Sequence, residues 1–343
     1  MSNTTCSRKA SIGGQALMEG IMMKGENSYS VAVRKPDGDI DIDVKPTTPH
    51  KWAKLPFIRG IFTFIDSIIT GYKCLMRSAE ISMGDEFIDE ESKFDKWIEK
   101  HFGKKAMGFI MGFSAVGGAL LAIALFMVLP TFFVGIIDKF IPLGGFKALI
   151  EGAIKIAIFI IYIALVSKMK EIYRVFCYHG AEHKTIACFE ANEELTVANV
   201  RKHTRFHPRC GTSFILIVLV VSILLFSLLP WTSTLVRAAL KVLLLPLVMG
   251  IAYEIIRFAG KHNNPITRAV SAPGMWLQRL TTHEPEDSMI EVAIAAVKAV
   301  LKPEDLAALH STENEETKID SKEVDNSTKI ESEEVENSTK IEE

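Results

Sequence analysis

Cysteine is scarce in this 343-residue sequence, and its five thiols, an odd number, cannot close a complete disulfide framework. Twenty-two glycines and 13 prolines are far too few for a collagen-like repeat. No Gly-Lys-Ser/Thr follows Gly13-Gly14-Gln15, so that stretch is not a phosphate-binding P-loop. Residues 1–54 contain no apolar run long enough for a secretory signal peptide. Net charge is nearly absent as well, at −2, and no nucleic-acid partner is expected.

That small charge conceals a strong division along the chain. Residues 311–343 hold twelve Asp/Glu and four Lys, a local charge of −8, which leaves +6 on the rest. This tail repeats every eleven residues, from Thr317, Thr328 and Thr339. Its isolated Ile and Val residues scatter around a helix without forming a stripe, so residues 303–343 are expected to be a disordered acidic tail.

Charge of either sign is missing altogether from residues 107–137. About 20 apolar residues suffice to cross a bilayer, and segments 146–166, 214–231 and 235–256 follow with few charges or none. Pro130 is expected to kink or end the first of these spans. The spacing therefore predicts a mainly α, polytopic membrane protein, with about four transmembrane helices in two hairpins over residues 106–258. Basic residues cluster in segment 168–212 and after Ile256 but are sparse between the paired spans. By the positive-inside bias, both termini and a histidine-rich 168–212 loop face the cytoplasm of a multi-pass cell-membrane protein. Residues 1–54 form a small cap, with a β-hairpin around Lys35-Pro36-Asp37-Gly38. Segment 55–76 places apolar residues at helical spacing, interrupted by Arg59, Asp66 and Lys73, and is expected to lie on the membrane as an amphipathic helix. Residues 259–302 complete the cytoplasmic portion, where thiols stay reduced. Glu151 and Lys155, four apart, are expected to pair.

The chemistry gathers in the 168–212 loop. Four of the nine histidines lie between residues 179 and 207. His179-Gly180-Ala181-Glu182-His183 matches H-x-x-E-H, the inverted zinc-hydrolase order. On a helix, both imidazoles share one face and Glu182 stands beside them, suited to take a proton from activated water. A catalytic zinc commonly takes three protein ligands, and either His207 or Cys210 would complete the set. A thiolate ligand favours zinc or iron over magnesium, so a divalent metal, foremost zinc, is the expected cofactor. Arg209 could hold an anionic group of a substrate. Glu254, ionisable at the end of an apolar run, either supports the histidine site or snorkels to the headgroups. Glu19 could reach the metal, and Gly13-Gly14 could form an anion-binding backbone nest.

Four motifs carry a resemblance to a known family: residues 12–23 (IGGQALMEGIMM), 178–183 (YHGAEH), 207–214 (HPRCGTSF) and 284–287 (EPED). Together they resemble the YqhQ-like family, bacterial membrane proteins of unknown function labelled as metal-dependent enzymes. The resemblance covers about residues 10–302 and implies membrane location and metal dependence. Three functions are compatible with these features. The first is a membrane-embedded metal-dependent hydrolase acting at the cytoplasmic face, on a lipid or another substrate. The second is a non-catalytic scaffold with a structural metal site that docks a cytoplasmic protein partner. The third is a transporter or channel, formed as a homo-oligomer.

Overall fold

The chain's computed structural model describes residues 12–47, 55–84, 105–208, 210–231, 233–261, 264–302 and 304–305. Arg209 and the acidic repeat tail lie outside the described residues.

Near the N-terminus the chain forms four strands, where the sequence announces a single hairpin. That hairpin is β3 (Ser28–Arg34) and β4 (Ile40–Pro46), joined by a turn in which Gly38 has φ 94°. Before it, β1 (Gly13–Leu17) and β2 (Gly20–Lys24) pair antiparallel. The sheet order is β1-β2-β3-β4. Side chains alternate between its faces. Leu17, Met22, Val31 and Val33 pack with Cys74 of α1 (Ile58–Met83). Ile21, Met23 and Ala32 pack the opposite way, against α5 (Lys170–Glu190) and α10 (Asp287–Val300). The sheet is thus the middle layer of three.

A long apolar helix follows. Its first part, α2 (Lys105–Ile123), passes through a π-helical turn, Ala124–Val128, into α3 (Leu129–Phe140). Pro130 therefore does not end the helix, because it stands in the first turn after the π segment, where its missing N–H is tolerated. Then come α4 (Lys147–Val166), α5, the short α6 (Val197–Lys202), α7 (Gly211–Ser227) and α8 (Thr234–Lys261). The amphipathic α9 (Pro265–Thr281) starts at a capping box between Asn264 and Thr267. The molecule is thus mainly helical, with one small N-terminal antiparallel sheet.

Among the described residues, three helical segments are long and apolar enough to cross a membrane: Val116–Phe140, Gly144–Val166 and Thr234–Ala259. Gly211–Ser227 is equally apolar but has 17 residues. It packs against α8 through Ile217, Val221, Phe226, Val248 and Ala252. On their outward faces these helices expose Phe132, Leu149, Leu224 and Leu243. On α1, Phe62, Ile65, Ile68 and Ile69 are exposed in the same way, opposite the buried Gly60, Gly71 and Cys74.

Two expected electrostatic roles are corrected. Glu151 does not pair with Lys155. Its carboxylate is claimed by Lys241 and Arg237 of α8 and by the Thr131 hydroxyl at 2.7 Å, while Lys155 Nζ donates to Ser222 Oγ at 3.3 Å. Glu254 is engaged away from the histidine motif. Both of its oxygens accept from the Arg59 guanidinium, and one also accepts the Phe57 N–H at 3.2 Å, which ties α8 to the start of α1.

Candidate metal centre

The histidine motif lies in the second half of α5, whose inner face is buried from Cys177 to Phe189 except for His179 and Ala187. Four-residue spacing brings the rings of His179 and His183 to 4.4 Å between centroids. Gly180, between them, lies against the His283 carbonyl oxygen, and a Cβ there would collide with it. This explains why the motif has no side chain at its second position.

The remaining donors come from distant parts of the chain. Cys210 is the N-cap of α7, and its Sγ lies 3.2 Å from His179 Nε2. Ligand atoms of His179, His183 and Cys210 all fall within 4.8 Å of one another. In a tetrahedral zinc site, bond lengths of about 2.0 and 2.3 Å place N and S about 3.5 Å apart. The observed separation is close to that.

Both imidazoles are oriented as ligands need to be. His179 Nδ1 contacts the Thr281 carbonyl at 2.8 Å, and His183 Nδ1 contacts the Arg205 carbonyl at 2.6 Å. A carbonyl only accepts, so each Nδ1 carries the proton and each Nε2 keeps a bare lone pair. Burial disfavours the imidazolium of His183 and pushes its pKa down, which preserves the neutral ring. The Thr212 N–H and hydroxyl both donate to Cys210 Sγ, at 3.4 and 3.2 Å.

Glu182 is enclosed beside this triad. Its Oε1 accepts the Gly14 N–H at 3.0 Å, and its Oε2 is buried without a hydrogen-bond partner among the described residues. Complete burial raises its pKa above the usual carboxylate range, against the opposing pull of His179, the Gly14 N–H and His207. The glycine stretch at the N-terminus therefore does hold a carboxyl group, but one that belongs to the chain itself.

His207 stands one ring further out, 5.7 Å between centroids from His183, with its Nε2 3.4 Å from Glu190 Oε2. Its backbone is clamped by Gln278, which accepts from its N–H and donates to its carbonyl, both at 2.8 Å. Of the two alternatives for a third ligand, the structure brings Cys210 to the pair. Glu19 is nearby but engaged elsewhere: Arg174 Nη2 donates to it at 2.6 Å and the Tyr178 hydroxyl at 3.2 Å. Arg209 lies outside the described residues. Arg205 and Lys184 face Glu284, and Arg201 pairs with Asp287, so the 284–287 motif binds the basic residues around α5 and α6.

A second grouping joins Cys188, Glu193 and His203. His203 Nε2 lies 3.1 Å from Glu193 Oε2. The Cys188 thiol donates to the Glu194 carbonyl at 3.5 Å, and its pKa is pushed up to about 12, chiefly by burial. That keeps it a thiol and a poor metal ligand.

Four partners of the centre gave no signal as chemical residues. Thr281 and Arg205 contribute backbone carbonyls, Gly14 contributes an N–H, and Gln278 grips a neighbouring backbone. Only Gly14 carried a hint, since the absence of side chains in that stretch suggests a close backbone approach.

No solved structure matches the chain. Over 304 residues it is 34% identical to "Uncharacterized protein YqhQ" of Bacillus subtilis (strain 168), covering 86% of this chain and 93% of that protein. Residues 55–303 match the family described as protein of unknown function (DUF1385). With the metal-type donor set, the helical motif and the two further motifs inside that match, the chain belongs to the DUF1385, YqhQ-like family.

Proposed function

We infer that the protein is a membrane-bound, metal-dependent enzyme whose centre lies at the cytoplasmic end of the apolar helices. The single observation that carries this reading is the convergence of three ligand atoms, two of them imidazole Nε2 lone pairs left bare by their Nδ1 partners, beside a buried Glu182 oxygen that has no partner among the described residues. His179, His183 and Cys210 would hold a zinc-class divalent ion. Three protein ligands are the number a catalytic zinc site uses. When bound, such an ion supplies Lewis acidity, which makes water nucleophilic near neutral pH or polarises an ester oxygen. Glu182, its carboxyl fixed by the Gly14 N–H, would be the group that takes up and returns a proton, at Oε2. A hydrolytic reaction uses all of these groups.

The membrane part of the reading counts Gly211–Ser227 as a fourth span. Its 17 residues extend about 25 Å, near the ~30 Å hydrocarbon thickness. An even number of spans returns both termini to one side, and the basic 168–212 segment marks that side as cytoplasmic. The exposed apolar face of α1 then lies along the same leaflet.

The test is metal content of the full chain, purified in a neutral detergent. Wild type and Glu182→Gln should retain close to one equivalent of metal, while His183→Ala and Cys210→Ser lose at least nine-tenths of it. Negligible metal in all four proteins would overturn the reading. Retention with the fourth position closed to added thiol or azide would point instead to a structural knot.

A further inference from the structure

The apolar helices enclose a second polar cluster, at the opposite end of α7 from the metal centre. Glu151 and Lys155 of α4, Thr131 of α3, Ser222 of α7, and Arg237 and Lys241 of α8 meet there, and all six are buried. Ser222 is twelve residues beyond Cys210, or about 18 Å along the helix. On the membrane reading given above, on which this inference rests, the cluster sits within the hydrocarbon layer.

Three cationic side chains face one carboxylate in this cluster, and their partners are unequally shared. Arg237 donates to Glu151 and to the carbonyls of Phe226, Leu229 and Pro230, so its charge caps the end of α7. Lys241 contacts the other Glu151 oxygen and the Thr131 hydroxyl. Among the described residues, Lys155 has neither a carboxylate nor a carbonyl as a partner. It meets one hydroxyl, Ser222 Oγ, and the face of Phe226, with Nζ 4.9 Å from the ring centroid. Ser222 Oγ already donates to the Leu219 carbonyl at 2.7 Å, so towards Lys155 it acts only as an acceptor.

Isolated buried charge is disfavoured by several kcal/mol per ion even after relaxation, and intramembrane ionisable groups commonly mark binding sites. Beside Lys155 there is a small, partly open cavity of about 10 Å³, room for a single water-sized occupant, whose lining includes Ala148, Glu151, Gly152, Lys155, Phe226 and Ser227. A buried cation with no carboxylate partner among the described residues therefore borders a space fit for one small ion.

We propose that this cavity binds a small monovalent anion of the chloride class, held by the Lys155 ammonium. The ion supplies the negative charge that the cluster lacks. Phe226 forms one wall, and Glu151 is kept from repelling the anion by Lys241 and Arg237, which hold both of its oxygens.

The experiment uses the full chain in a non-ionic detergent, with thermal unfolding followed in sodium chloride, sodium bromide and sodium gluconate at equal ionic strength. In wild type, the melting temperature should rise with the logarithm of chloride or bromide concentration and stay flat in gluconate, as expected for a ligand that binds the folded state. Lys155→Met should weaken the apparent halide affinity at least tenfold, and Lys155→Arg should preserve the dependence. Chloride-35 NMR line broadening should disappear with the same Met variant. Equal melting in all three salts for wild type, or a halide response that survives Lys155→Met, would overturn the proposal. Because wild type alone can refute it, a Met variant that fails to fold does not rescue it. The metal content of the same samples tests the first reading separately.

Discussion

Replacing Gly14 with alanine adds one methyl group at the point where the N-terminal sheet meets the histidine helix. Propensity alone favours the change, since alanine is the better residue inside a regular element by about 0.5–1 kcal/mol. The structure reverses that sign. A Cβ built on Gly14 would lie 2.7 Å from the Met22 carbonyl oxygen and 2.9 Å from both Cδ and Oε1 of Glu182, well inside the separation of about 3.5 Å at which atoms attract. The Met22 oxygen belongs to a strand paired with β1, and Glu182 is enclosed in α5, so neither retreats freely. Overpacking of this kind costs about 1–3 kcal/mol. Displacing the carboxyl also breaks the 3.0 Å bond from the Gly14 N–H, leaving the buried Glu182 oxygen without its donor for a further ~1–3 kcal/mol. Gly14→Ala should therefore destabilise the chain by about 2–6 kcal/mol, read as the midpoint shift of a denaturant titration in neutral detergent. Combining it with Glu182→Ala should recover at least ~1 kcal/mol, because the carboxyl half of the clash disappears while the Met22 half remains. A Gly14→Ala protein within about 0.5 kcal/mol of wild type, or two changes that simply add, would refute the contact.

Four other outcomes follow from the same geometry. Gln278→Leu strips both partners from the buried His207 backbone and should cost about 2–5 kcal/mol, measured in the same titration. His207→Ala should leave bound metal near wild-type stoichiometry, since Cys210 and not His207 stands with the ligand pair; loss of metal would reassign the third ligand. Although burial opposes its ionisation, Glu19 is held below the usual glutamate range by Arg174, with the Tyr178 hydroxyl assisting. That latch is at full strength above the ordinary glutamate value and is lost as pH falls through the lowered one, so an Arg174→Met deficit should appear at neutral pH and vanish in strongly acidic buffer. Because the pair is partly exposed, the deficit stays under about 1 kcal/mol. Glu151→Gln leaves Lys241 and Arg237 without their carboxylate and should lower stability by about 3–5 kcal/mol, visible as a fall in melting temperature.

Local signals were legible in the sequence where the chain's own period carried them. His179, Glu182 and His183 lie within one helical turn, so their shared face follows from spacing alone. Lys35–Gly38 announces its hairpin through turn chemistry, and the apolar runs announce themselves by length. The first hairpin was not legible, because Gly13-Gly14 and the Met22-Met23 pair do not show the β-branched alternation that marks β3. Partners chosen by tertiary packing were equally silent. Glu151 and Lys155 satisfy the four-residue rule, but a carboxylate in an apolar bundle is taken by whichever cations the neighbouring helix delivers, here Lys241 and Arg237. For Glu254 the sequence left support of the histidines and snorkelling both open, because its partner in the structure, Arg59, is 195 residues away in sequence.

This distance between partners also bears on why the centre is held where it is. Glu182 is fixed by a residue 168 positions away, His179 by one 102 away, and His207 by one 71 away. The sheet, α5, α7 and α9 must all be docked before the whole set of these groups is satisfied, and a partly satisfied buried polar network is worse than an apolar contact. The centre therefore penalises every arrangement in which the sheet-bearing lobe slides on the apolar helices. Cys210 occupies the pivot of that arrangement: it starts α7, receives both Thr212 donors, and presents its sulfur to His179. A ligand bound by Cys210 and the two histidines consequently ties the lobe to the bundle. Chelation should loosen that junction before it unfolds either part, with hydrogen exchange rising first at residues 179–183 and 210–213.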